Sequence, residues 1–129
     1  MTSIYDSAFQ LMYKHHQTQR RKGSNTPYIV HCIGVASILK CATNDEEIIS
    51  AGLCHDILED TNCTFDELKL STTLRVAEIV QEVTRDRQGK SNIKTKEGVM
   101  LKCADMIHNM SDCADSRYIA KKVKLCEGL

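Results

Sequence analysis

Apolar residues recur at helical spacing along most of the chain, and no strand pair is apparent. The first segment, residues 3–21, carries four apolar residues on one helical face: Ile4, Ala8, Leu11 and Met12. The segment at residues 28–42 is predicted to turn four apolar residues inward: Ile29, Ile33, Ala36 and Leu39. Further helical patterns follow at 45–60, 65–71, 73–86, 95–113 and 116–127. The sequence therefore predicts a single all-α domain over residues 1–129, with six or seven helices.

Polar residues mark where several of these helices begin. Asn44 with Glu47, and Thr64 with Glu67, have the spacing of capping boxes, in which each side chain bonds a free backbone N–H of the first turn. The loop before residue 28 holds Pro27, the one proline of the chain, together with Gly, Ser and Asn. A second polar loop is predicted at residues 87–92.

Composition excludes several classes of function. Lys plus Arg and Asp plus Glu both number 17, so no net basic field favours nucleic acid, and tryptophan is absent. No apolar run approaches the roughly 18 residues of a membrane span, and the N-terminus lacks a signal-peptide pattern. The seven cysteines are odd in number and contain no C-x-x-C. These features predict a reduced, cytoplasmic protein with no nucleic-acid or membrane partner and leave its oligomeric state open.

An unusual density of ionisable groups interrupts one apolar segment. The stretch GLCHDILEDTNCT, residues 52–64, contains His55, Asp56, Glu59 and Asp60. On a helix, residues three and four apart share a side, so these four groups are predicted to lie at one helix end. Burying so many charges is costly unless a partner such as a metal ion compensates.

Two further candidate ligands lie on other predicted helices. His31 and Asp105 both have apolar neighbours, as in PYIVHCIGV and LKCADMIHNM. Two imidazoles and two carboxylates without thiolate suit manganese, iron, cobalt or catalytic zinc. Glu59 and Asp60 would then remain free to orient or deprotonate a water. The alternative is that His31 is a hydrogen-bonded core histidine and Asp105 a cap or ion-pair partner.

Three segments resemble, in order and separation, the motifs of HD-domain hydrolases of the RelA/SpoT type. They are TPYIVHCIGVASIL, AGLCHDILEDT and LKCADMIHNM, and the size is closest to the stand-alone small alarmone hydrolases. The resemblance covers roughly residues 5–113. It implies an all-α HD-domain bundle, with fewer C-terminal helices than is usual for the family. Cys32 stands where the family commonly has proline, and Asp112 stands near a threonine of the larger relatives.

The resemblance also implies an activity and a role for each matched residue. The family hydrolyses the 3′-pyrophosphate of guanosine tetra- and pentaphosphate with one Mn²⁺ ion, giving GDP or GTP and pyrophosphate. By this resemblance the metal ligands are His31, His55, Asp56 and Asp105. The catalytic acidic pair is Glu59 and Asp60, and the substrate-binding residues are Arg21, Lys22 and Asn109.

Two alternatives remain at this point. The chain could be an HD phosphohydrolase acting on another nucleotide such as NADPH, or a catalytically silent alarmone-binding module. Other polar residues receive plainer interpretations. A solvated position is predicted for His15 and His16 and for the segment 85–87, a packing role near the site for His108, and an exposed face for Lys121, Lys122 and Lys124.

Overall fold

The computed structural model describes residues 3–111. Within this part of the chain the structure has seven α-helices and, apart from an isolated bridge between Arg20 and Pro27, no β-structure. The helices are α1 (Ile4–His16), α2 (Tyr28–Ala42), α3 (Glu46–Leu53), α4 (Ile57–Asp60), α5 (Phe65–Ser71), α6 (Leu74–Val83) and α7 (Lys96–Ser111). The predicted all-α class is confirmed. The predicted helix at 116–127, with Lys121, Lys122 and Lys124, lies outside the described residues.

The short helix α3 forms the centre of the domain. Every residue from Ile48 to Leu53 is buried, and α3 contacts α1, α2, α6 and α7. Gly52 allows the close approach of α2, because a Cβ at that position would stand 2.6 Å from Cδ1 of Leu39 and 3.3 Å from the backbone of Ala36. Its small size therefore sets the spacing between α2, which carries His31, and α3, which ends just before His55.

Two predicted details of this centre are corrected by the structure. The residue that caps α3 is Asp45, not Asn44: the Asp45 carboxylate accepts hydrogen bonds from the backbone of Glu47 and Ile48, and Arg75 reaches the same carboxylate at 2.7 Å. In α2, Ile29 and Ile33 are only half-buried, and the fully buried residues are His31, Cys32, Val35, Ala36 and Leu39. Because nearly every residue of α2 is apolar, its sequence does not define one inward face.

The helix predicted over residues 45–60 is broken in the structure. Between α3 and α4, the residues Cys54, His55 and Asp56 form a turn, in which the N–H of Ile57 donates to the carbonyl of Cys54 at 3.0 Å. Neither glycine nor proline occupies the turn, so no local signal marked it. The break turns His55 and Asp56 together towards α2 and α7, whereas a continuous helix would point them about 100° apart.

The segment before α7 is fixed by one side chain of α6. The carboxylate of Glu82 accepts hydrogen bonds from the backbone N–H groups of Lys94 and Thr95 and from the Thr95 hydroxyl. These bonds satisfy donors at the start of α7 that the helix itself leaves free. They also set where α7 begins, and with it the position of Asp105 opposite the turn at His55.

No helix in the described range 3–111 combines the length and the apolar content needed to cross a lipid bilayer.

Candidate active site

Four side chains from three separate parts of the fold meet at the base of a pocket of about 280 Å³. We call them the floor: His31 from α2, His55 and Asp56 from the turn after α3, and Asp105 from α7. The two imidazoles are 2–4 % exposed, and both carboxylates are half-buried. The structure thus brings together all four residues to which the sequence assigned metal binding.

The donor atoms of the floor lie close together. Nε2 of His31 stands 3.1 Å from Nε2 of His55 and 2.9 Å from Oδ1 of Asp105. Nε2 of His55 stands 2.8 Å from Oδ2 of Asp56 and 3.3 Å from Asp105, and the His31–Asp56 separation is 3.9 Å. With metal–ligand bonds of about 2.1 Å, neighbouring donors around one ion stand about 3 Å apart and opposite donors about 4 Å apart. His31, His55 and Asp105 each offer a donor atom within 4.8 Å of the other two, and Asp56 adjoins them through His55, so the donor type and charge of the floor suit a divalent cation.

The hydrogen bonds behind His55 fix which of its ring nitrogens faces the pocket. Its Nδ1 lies 2.8 Å from the carbonyl of Gly52, which can only accept, so Nδ1 carries the proton. In its neutral form the ring would present a lone pair at Nε2, as a metal ligand does. Burial alone would lower the pKa of His55, but the charges of Asp56 and Asp105 outweigh burial and raise this pKa well above its ordinary value. The site therefore favours positive charge between its donors.

The two floor carboxylates have pKa values shifted in the complementary direction. Burial would raise the pKa of Asp56, but charge and hydrogen bonding from His55 lower it to about 2. Burial likewise opposes ionisation of Asp105, and hydrogen bonds from His31 and His55 hold its pKa below the ordinary range. Both side chains are therefore anionic at neutral pH and available to a cation.

Two further side chains, Tyr28 and His108, form hydrogen bonds with residues of the floor. The Tyr28 hydroxyl donates to Asp56, and burial raises the pKa of Tyr28 far above its ordinary value, so it remains a donor. Nδ1 of His108 lies 2.7 Å from Nδ1 of His31, in agreement with the predicted packing role near the site. Room for His108 comes from Gly34, where a Cβ would stand only 2.2 Å from its Nε2.

The acidic pair lies at the pocket's rim, which we define as Arg21, Glu59, Asp60, Arg85, Lys102 and Asn109. Arg85 binds Glu59 at three points: its backbone N–H donates at 3.0 Å and its guanidinium at 3.2 and 2.7 Å. These hydrogen bonds lower the pKa of Glu59. Arg85 is exposed, as predicted, but its pairing with Glu59 and its place in the pocket lining were not predicted.

Asp60 stands beside Glu59 but has the opposite electrostatic environment. Partial burial and the charges of Asp56 and Glu59 raise its pKa. Its backbone carbonyl accepts a hydrogen bond from Nε2 of Gln19 at 3.0 Å. The pair thus consists of one carboxylate held firmly ionised and one that takes up a proton more readily.

The predicted substrate-binding residues are only partly brought together. A nitrogen of the Arg21 guanidinium donates to Oδ1 of Asn109 at 2.7 Å, and Nδ2 of Asn109 approaches Oδ1 of Asp105 at 3.3 Å. Lys22 is exposed and does not line the pocket. Lys102, which the sequence did not single out, lines the pocket with its Nζ 3.9 Å from Oδ2 of Asp105.

His16 was also misjudged from the sequence. It is fully buried rather than solvated, with its ring 5.1 Å from that of Tyr28 and its Nδ1 2.6 Å from Oε1 of Gln19. Burial lowers the pKa of His16, so the ring is neutral at neutral pH. His16 and Gln19 link α1 to the backbone of Asp60. His15 is half-buried as well and contacts Glu67.

Comparison with known proteins gives a consistent family. A family model described as the HD domain matches residues 8–98. The chain is 34 % identical over 122 residues to guanosine-3′,5′-bis(diphosphate) 3′-pyrophosphohydrolase MESH1 of Mus musculus, covering 84 % of this chain and 68 % of that protein. It is 36 % identical over 126 residues to MESH1 of Danio rerio, covering 84 % and 70 %.

A bacterial relative and a solved structure extend the comparison. The probable guanosine-3′,5′-bis(diphosphate) 3′-pyrophosphohydrolase of Synechocystis sp. is 32 % identical over 120 residues, which is 80 % of this chain and 16 % of that much longer protein. A solved structure described as a metazoan ortholog of SpoT that hydrolyzes ppGpp superposes with a TM-score of 0.74 at 26 % identity, covering 87 % of this chain and 71 % of that one.

Proposed function

The chain belongs to the HD-domain family, and on that premise we propose that it hydrolyses the 3′-pyrophosphate of guanosine tetra- and pentaphosphate, releasing pyrophosphate and leaving GDP or GTP. We further propose Mn²⁺ as its metal. The names of the relatives support the reaction. The observation that supports the proposal for this chain is the floor, where five of the six pairs among donors of His31, His55, Asp56 and Asp105 lie 2.8–3.9 Å apart.

The chemistry of the donors supports a catalytic cation rather than a structural one. Imidazole and carboxylate donors without thiolate suit Mn²⁺ and related ions, whereas structural zinc sites are rich in cysteine. When bound, such a cation supplies Lewis acidity, which polarises a phosphoryl oxygen and lowers the pKa of water. In the proposal, the four floor residues hold this ion and the other polar groups of the pocket act on water and substrate.

Asp60 is the proposed proton acceptor for the attacking water. Its raised pKa makes it a stronger base than an ordinary aspartate, and it lies at the rim beside the floor. As the water oxygen bonds to the phosphorus next to the ribose, the bond from that phosphorus to the 3′ oxygen breaks. The water proton passes to Asp60, and the 3′ oxygen takes up a proton from solvent, so one water is consumed and a 3′ hydroxyl and pyrophosphate are formed.

Glu59 has a different role in this proposal, because Arg85 keeps it ionised. A carboxylate with a lowered pKa is a poor base but a good fixed acceptor. It would orient the attacking water by accepting one hydrogen bond while Asp60 accepts the proton. Arg85 is thus a positioning residue that acts through Glu59.

The rim also supplies positive charge for the substrate's phosphates. Arg21 donates to Asn109, which contacts Oδ1 of Asp105, and Lys102 lies 3.9 Å from Oδ2 of Asp105. Charge-assisted hydrogen bonds from these cations would offset the negative charge of a pyrophosphate group. Lys22, which is exposed, would contact only a part of the nucleotide that projects from the pocket.

A nucleotide panel tests the proposal. Metal-free protein is supplied with Mn²⁺ and incubated with guanosine tetraphosphate, guanosine pentaphosphate and NADPH, and the products are separated by chromatography. Equimolar GDP and pyrophosphate from the tetraphosphate supports the proposal. If phosphate were released from NADPH and no product formed from either alarmone, NADPH would be the substrate instead. Tight alarmone binding with no product would identify a catalytically silent binding module.

A further inference from the structure

A second group of metal-ligand side chains lies outside the pocket, where α1 meets the start of α5. It consists of His15 on α1, Cys63 in the loop after α4, and Glu67 on α5; one donor atom from each lies within 4.8 Å of the other two. Nε2 of His15 stands 3.2 Å from Oε1 of Glu67. None of the three residues lines the pocket of the candidate active site.

The Glu67 carboxylate contacts this group and does not make the second hydrogen bond of a capping box. Thr64 caps α5 by accepting from the N–H of Glu67 at 3.1 Å, as the sequence predicts. In a complete capping box, Glu67 would in turn accept from the N–H of Thr64. Among the described hydrogen bonds it instead accepts from Lys14 and His15; the bond from Lys14 lowers the pKa of Glu67 most, and those from His15 and the Cys63 thiol add to this.

Cys63 is the most buried member of the group, with 5 % of its surface exposed. Burial and the nearby Glu67 charge raise the pKa of its thiol to about 12, so without a cation the group is a neutral thiol. A thiophilic divalent ion would displace that proton, as metal binding does at cysteine ligands generally. One thiolate, one imidazole and one carboxylate form a ligand set that suits zinc.

We propose that His15, Cys63 and Glu67 form a second metal site, which binds Zn²⁺ with three protein ligands and one position left for water. The Cys63 thiol loses its proton to solvent as the zinc–sulfur bond forms, and Lys14 gives up its contact with Glu67. The ion connects α1 to the loop that follows Asp60 and to the first turn of α5. This proposal is independent of the reaction at the floor, because it depends on different residues and a different class of donor.

Cobalt spectroscopy tests this site directly. Metal-free protein is titrated with Co²⁺ while the thiolate-to-cobalt charge-transfer absorption is followed. The absorbance at saturation should correspond to one cobalt–thiolate centre per chain. Added Zn²⁺ should displace Co²⁺ from that centre and abolish the band. In Cys63→Ser the band should be absent, while the floor still takes up one Co²⁺. The matched control Cys41→Ser, which removes an exposed thiol, should retain the full band.

Two milder variants guard against loss of folding in Cys63→Ser. Replacing a direct ligand in His15→Gln or Glu67→Gln should weaken Co²⁺ binding at this site by about 10-fold or more, since even hydrogen-bond partners of metal ligands are worth that much. Absence of a charge-transfer band in the wild-type protein, or its persistence in Cys63→Ser, overturns the proposal. Either result would leave Glu67 as an ordinary ion-pair partner of Lys14 and His15.

Discussion

The floor and the rim of the pocket are both built from charged side chains, yet the protein holds them in different ways. On the floor, His31 and His55 are almost fully buried, and their partners are other floor residues, the carbonyl of Gly52 and His108. On the rim, Glu59 and Arg85 pair with each other at the protein surface.

This difference indicates what each layer is suited to do. Buried charges without compensation are costly, and the two floor carboxylates favour a positive charge beside them, so the floor is suited to a cation. Exposed ion pairs contribute little net stability, so rim residues can exchange partners when a substrate arrives. We therefore propose metal binding for the floor, and proton transfer and phosphate contacts for the rim.

The largest expected effect comes from removing a floor carboxylate. In Asp105→Ala, one proposed ligand is lost and His31 and His55 lose their shared acceptor, so the ion bound at the floor and pyrophosphate release should be lost together, with metal content falling by one ion per chain. His31→Ala and Asp56→Ala should behave alike. Metal analysis and an activity assay on the same preparations measure this. The control Glu97→Ala, also on α7, should keep both. Full metal content in all three floor variants would refute the ligand assignment.

Next in size is the loss of the proposed proton acceptor. Asp60→Asn keeps the shape of the side chain and removes its basicity, so kcat should fall about 10²- to 10⁴-fold with metal content unchanged. Glu59→Gln should also retain the metal and lower kcat on the order of 100-fold, because the oriented acceptor is lost. Near-normal kcat in both variants would exclude the acidic pair from the mechanism.

A smaller effect is expected from Arg21, which contacts Asn109 rather than the floor ligands directly. Arg21→Ala should leave metal content unchanged and raise KM more than it lowers kcat. Loss of one charge-assisted contact costs about 1.5–3 kcal/mol, or roughly 10- to 150-fold in kcat/KM. Steady-state kinetics measure this, with Arg20→Ala as the matched loop control. An unchanged kcat/KM would show that Arg21 does not bind the substrate and only contacts Asn109.

The smallest effect is a pair of opposite shifts in the pH profile. A proton acceptor must be ionised, so kcat/KM should fall as the pH drops through the raised pKa of Asp60. Glu59→Gln removes a negative charge beside Asp60, so the fall of kcat/KM on the acid side of the profile, its acid limb, should move to lower pH. Arg85→Ala removes a positive neighbour and should move the limb to higher pH. Shifts in the same direction in both variants would contradict the assignment of the limb to Asp60.

Periodicity alone located most of the helices. Residues 28–42 were predicted and observed as one helix, and the cap at Thr64 is where the sequence placed it. The four floor residues are ones whose chemistry stood out from apolar neighbours, and the fold brings them together. Local pattern and residue type were sufficient for these features.

Features that depend on long-range contacts were missed. Arg85 and Glu59 are 26 residues apart and meet only because the loop after α6 passes the end of α4. His16 is buried by the packing of Tyr28 and Gln19, which no spacing along α1 reveals. The break at Cys54–Asp56 carries no glycine or proline, and Asp45 rather than Asn44 became the cap where Arg75 approaches it.

Titration of Mn²⁺ into metal-free protein, with metal content and pyrophosphate release from guanosine tetraphosphate measured on the same samples, tests the central claim most directly. Activity should be absent at the start, rise in proportion to Mn²⁺ bound at the floor, and stay at zero in Asp105→Ala at every concentration. Asp60→Asn should bind Mn²⁺ like the wild-type protein while releasing little pyrophosphate. Full pyrophosphate release by metal-free protein would contradict the account.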